Sequence, residues 1–128
     1  MPNGFHGSEH EWERFEAPLR ALDRRLEQFA LQHNMRFARS RRNWPSRSLH
    51  WGDNVQRMIQ IYLDDPAALT WSLWACASQD RLRRRYWKSA FLRRSASFSE
   101  VDADLSDLLA AARELADAWE AGDLEPAA

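Results

Sequence analysis

Between positions 47 and 92 the side chains alternate with a period of two, the pattern of strands that bury one face and show the other. In residues 55–63 the odd positions carry Val55, Ile59, Ile61 and Leu63, and the even ones Gln56, Met58, Gln60 and Tyr62. In residues 69–78 the odd set is Leu69, Trp71, Leu73, Ala75 and Ala77, against Thr70, Ser72, Trp74, Cys76 and Ser78. Residues 47–51 place Leu49 and Trp51 opposite Ser48 and His50. Residues 83–92 are mixed, with Trp87 and Phe91 on one side and Tyr86, Ala90 and Leu92 on the other. Gly52-Asp53-Asn54, Asp64-Asp65-Pro66 and Ser78-Gln79-Asp80 separate the four segments with turn chemistry. Connections this short force antiparallel neighbours, so the pattern predicts a four-stranded meander. A short extra edge strand is expected near residues 35–39.

An amphipathic helix is expected on each side of the sheet. Trp12, Phe15, Leu19, Leu22, Leu26 and Phe29 repeat at three and four residues, which makes one apolar stripe. Ser8 and Glu11 fit a capping box at its start. Pro18 interrupts the helical hydrogen bonding, so the stripe predicts a kink there, with two helices as the alternative. Val101, Leu105, Leu108, Ala112, Leu115 and Trp119 form the second stripe, with Ser97 or Ser99 as its cap and Gly122 as its stop. The whole reads as one α+β domain of two layers, α-β-β-β-β-α, with both helices on one sheet face. Residues 1–7 and 123–128 are expected to be flexible.

The 128 residues suffice for one domain with a normal core. The lone Cys76 allows no internal disulfide and suits a reducing cytoplasm. The first thirty residues hold no apolar signal core, and no run is long enough to span a membrane. Seventeen Arg against one Lys, with many Ala, point to a GC-rich bacterial genome.

The net charge of −1 conceals an uneven distribution. Residues 1–30 carry four Arg and six acids, net −2; residues 31–94 carry thirteen bases and four acids, net +9; residues 95–128 carry one Arg and nine acids, net −8. The predicted sheet is therefore basic and the last helix acidic.

If both helices cover the odd face (Leu49, Trp51, Ile59, Ile61, Leu63, Trp71, Leu73), the even face stays open. It would show His50, Met58, Gln60, Tyr62, Thr70, Ser72, Trp74 and Cys76, joined by Arg84, Tyr86 and Lys88. Aromatic residues among basic ones suit a protein-binding surface. The reading is therefore a cytoplasmic protein-interaction module without catalytic activity. It expects a partner, acidic by complementarity, held by Tyr62, Trp74, Tyr86, Arg84, Lys88 and His50, with Arg41 and Arg42 on a basic flank. A homodimer through the same face is a variant of this reading.

Two other readings stay open. The arginines of residues 36–47 and 81–94 could track the phosphates of a nucleic acid, although no recognition motif accompanies them. Cys76 and His50, both on the even face, could act as nucleophile and base or serve a small-molecule site. No His, Cys or carboxylate spacing suggests a metal, no Gly-rich loop suggests a phosphate cofactor, and neither a cofactor nor a membrane partner is expected.

Overall fold

The computed structural model describes residues 9–40, 46–65, 70–95 and 98–127. The caps expected at Ser8 and Ser97, the first seven residues, Arg41, Arg42, the loop around Trp44 and Pro45, and Pro66 lie outside these. The described chain is α+β, with two long helices and one antiparallel sheet.

Helix α1 spans Glu9–Gln32 as one element that includes Pro18, so the two-helix alternative does not hold. Leu22, Leu26, Phe29 and Ala30 form its buried face, continuing the predicted stripe. Asn34 stops it. With φ of +55° it occupies the left-handed region, and the Met35 amide turns back to the Ala30 carbonyl at 2.8 Å, a C-terminal closure that Asn tolerates better than most residues.

The sheet has six strands rather than four: β1 (Arg36–Ser40), β2 (Ser46–Trp51), β3 (Gln56–Asp65), β4 (Thr70–Arg81), β5 (Arg84–Ser95) and β6 (Glu125–Pro126). They lie side by side in chain order, every pair antiparallel. The β2–β3 turn falls where Gly52-Asp53-Asn54 predicts it. Gly52 has φ of +95°, and a Cβ there would stand 2.4 Å from the Val55 carbonyl oxygen, so only glycine fits.

Two expectations fail. No turn forms at Ser78-Gln79-Asp80. Strand β4 runs on to Arg81, and the reversal occurs at Leu82 and Arg83, both left-handed (φ +51° and +62°). Nor are residues 124–127 frayed. Helix α2 (Phe98–Ala118) ends four residues before Gly122, and a single 3₁₀ turn, Ala121–Asp123, follows. Leu124 is then buried, β6 pairs with Tyr86 and Trp87, and the Ala127 amide donates to the Arg85 carbonyl at 2.9 Å. Burial of Leu124 and these backbone bonds offset the entropy of ordering the segment.

One apolar cluster joins both helices to one sheet face. It takes Leu22, Leu26 and Phe29 from α1, Leu105, Leu109, Ala112 and Ala116 from α2, and Leu49, Ile59, Ile61, Trp71, Leu73, Ala75 and Ala77 from the strands. These strand positions are the odd set. Trp51 is half-buried against the same cluster.

Polar links fasten this layer. Arg47, 4% exposed, donates to Asp23 Oδ1 on α1 at 2.6 Å, and Arg39 lies 3.7 Å from the other carboxylate oxygen. Arg57 on β3 donates to the carbonyls of Ala116 and Trp119, each at 2.9 Å, where α2 ends. Trp51 Nε1 donates to Asp117 at 2.8 Å. Among the described residues no helix is long and apolar enough to cross a membrane.

Candidate functional site: the open sheet face

Strand register determines what shares the side away from the helices. Directly paired residues of an antiparallel ladder point to the same face. One row across the sheet reads Arg36, His50, Met58, Cys76, Ser89; the next reads Ala38, Ser48, Gln60, Trp74, Phe91. Gln56, Ser78 and Trp87 follow on one side, and Ser46, Tyr62 and Ser72 on the other. Asp80 and Arg85 pair near the hairpin end.

His50, Tyr62 and Trp74 thus take the predicted face. Arg84, Tyr86 and Lys88 do not. Tyr86 pairs with Gln79 and packs against the core cluster. The Arg81 guanidinium lies 3.8 Å above its ring, and Arg84 is paired with Arg81 on that same side. Lys88 stands 5.7 Å from the Trp119 ring, beside the end of α2. The reason is the turn. A loop of two residues pairs odd positions with even ones, so the open face continues into β5 through Arg85, Trp87, Ser89 and Phe91. Trp87 and Phe91, about half-exposed at 46% and 49%, are binding candidates that the alternation alone assigns to no face. Arg41 and Arg42 are outside the described residues.

A depression of about 520 Å³ lies on this face. Arg36, His50, Met58, Tyr62, Cys76, Ser78, Arg85 and Trp87 line it, together with Gln56, Arg57, Ala77 and Ala127. By register Arg57 and Ala77 belong to the other side, and the Arg57 guanidinium is held on α2. Among the described residues Arg36 and Arg85 are the charged groups the depression offers, and none of those lining it is a carboxylate. Beside it Trp74 meets Phe91 edge to face at 5.3 Å and donates from Nε1 to Ser72 Oγ at 3.2 Å. The two rings and the Ser72 hydroxyl thus fix one another's orientation on this face.

Three ionisable groups on this face are shifted by their surroundings. Burial, and after it the Arg36 charge, lower the His50 pKa from its ordinary value, and His50 Nε2 shares a hydrogen bond of 2.8 Å with Ser48 Oγ. Burial pushes the Cys76 thiol up to about 11, and burial followed by Cys76 raises Tyr62. Register puts Met58 between His50 and Cys76, so two strand spacings, about 10 Å, separate them. At that separation His50 is out of hydrogen-bond reach of the Cys76 thiol.

The two arginine clusters are also divided. Arg47 turns inward to Asp23, whereas Arg39, 3.7 Å from the same carboxylate, stays exposed, as do Arg36, Arg83, Arg84 and Arg85. Among the described residues no three His, Cys, Asp or Glu side chains converge as a metal site. Comparison with protein-family models, with curated proteins and with solved structures finds no match to the chain.

Proposed function

We propose that the protein is a non-catalytic cytoplasmic interaction module that takes an acidic partner protein on its open sheet face. The observation that carries this reading is that Trp87 and Phe91, both half-exposed, stand at a depression lined, among the described residues, by Arg36 and Arg85 and by no carboxylate. Large aromatic side chains next to Arg are the groups that dominate protein interfaces. The arginines steer an acidic surface and set its register, while burial of the rings supplies the affinity. His50 is neutral at pH 7 by this account and acts as a hydrogen-bonding group rather than as a third charge.

The test compares capture by the wild-type chain with capture by Trp87→Ala/Phe91→Ala and by Arg85→Ala, in the presence of nuclease. A stoichiometric acidic protein retained by the wild type and lost by both variants, at unchanged melting temperature, supports the reading. Retention by the aromatic variant rejects it. Material that disappears with nuclease would transfer the same aromatics and arginines to single-stranded nucleic acid, on which they could stack and pair. Light scattering of the purified chain distinguishes a second copy from a foreign partner.

A further inference from the structure

The β4–β5 hairpin ends in a turn that its own residues do not favour. Both turn residues have positive φ, the sense of a type I′ hairpin, in which Asn-Gly is the preferred pair because a Cβ crowds the backbone there. This chain places Leu82 and Arg83 in those positions. Leu82 is 93% exposed, the most exposed large apolar side chain among the described residues. Arg83, Arg84 and Arg85 are exposed around it, while Arg81 is turned back onto Tyr86. From position 79 to 95 the only acid is Asp80, paired across the strands with Arg85. Strain, an uncovered leucine and a cluster of cations therefore coincide at one projecting tip.

We infer that this tip docks on an anionic lipid surface. Its chemistry is that of an interfacial anchor in miniature: an apolar side chain enters the acyl boundary while guanidinium groups stay among the phosphates. A nucleic-acid backbone would satisfy the arginines and leave Leu82 in water. A bilayer surface satisfies both. A hairpin tip of this kind reaches a membrane surface without any apolar spanning helix. This inference does not depend on what occupies the open face.

Cosedimentation with vesicles of phosphatidylcholine and phosphatidylglycerol, against phosphatidylcholine alone, tests it on the full chain. The expected result is partition onto the anionic vesicles, weakened by salt and reduced about tenfold or more by Leu82→Asp. The double variant Leu82→Asn/Arg83→Gly should lose partition while melting at a higher temperature than wild type, because it relieves the turn. Partition unchanged by Leu82→Asp, or equal on both vesicle types, overturns the inference. So does a lower melting temperature in the double variant, or binding of a labelled oligonucleotide by a chain that ignores both vesicles.

Discussion

The guanidinium of Arg57 donates to the carbonyl of Ala116 at 2.9 Å, joining the middle of the sheet to the last turn of α2. A second bond reaches Trp119 O at 2.9 Å, and Asp117 lies 3.6 Å away. Helix α2 has no basic residue in its own last turn, so β3 supplies the cation that complements the helix end. Arg57→Ala leaves these carbonyls without their donor. It should lower unfolding free energy by about 2–3 kcal/mol, read by urea titration, with the slope unchanged.

Arg47 and Asp23 make a buried pair that couples α1 to β2. Removing Asp23 strands the buried Arg47 charge, so Asp23→Leu alone should cost about 3–5 kcal/mol; Arg47→Met leaves Asp23 its 3.7 Å contact with Arg39 and should cost less. The double variant should recover most of that loss, because two apolar side chains need no compensation. A double-mutant cycle on urea midpoints checks it, and additive losses would contradict the pairing.

How far the fold is legible in the chain follows from where its local signals lie. Leu49, Ile59, Ile61, Trp71 and Leu73 declare the covered face because the register from β2 to β4 pairs odd positions with odd ones, so one alternation runs through all three strands. Strand β5 is misread because Leu82-Arg83 carries no turn chemistry, and a two-residue loop there moves Tyr86 and Lys88 to the helix side and Trp87 and Phe91 to the open one. The bulge at Leu73 and Trp74 disturbs the alternation again at its far end. Strand β6 is invisible for another reason: Glu125-Pro126 has no strand propensity of its own, and its pairing depends on a strand about forty residues earlier in the chain. The depression was likewise unreadable, since Arg36 and Arg85 come from opposite ends of the meander and only the register brings them together.

His50 ties stability to pH. Its folded-state pKa lies below the ordinary 6.5, so the unfolded chain binds more protons in that window. Its contribution is complete above about pH 6.5 and is lost as pH falls from there through the folded value. Urea titrations at pH 7.5 and pH 5 should show a loss that His50→Gln reduces. An unchanged loss in the variant would assign the acid sensitivity to other groups.

Cys76 makes the opposite statement on the alkaline side. With its pKa at about 11 against an ordinary 9.0, its thiolate fraction at pH 8 falls about a hundredfold on folding. Labelling by a disulfide reagent should be slower than in urea by at least that factor. Comparable rates would show that the thiol is neither shielded nor desolvated.

The strands lie across the sheet in the order in which the chain writes them, β1 to β6. Each sheet contact from β1 to β5 can therefore be made with the segment just synthesised or just folded, one hairpin at a time. The long loop closures are the docking of α2 back onto β3, β4 and α1 and the return of β6 to β5. Topology of this kind keeps mean contact separation low for a sheet protein. What closes over the longest stretches of sequence is thus the helix layer that covers the sheet, while the hairpins beneath it are local in the chain.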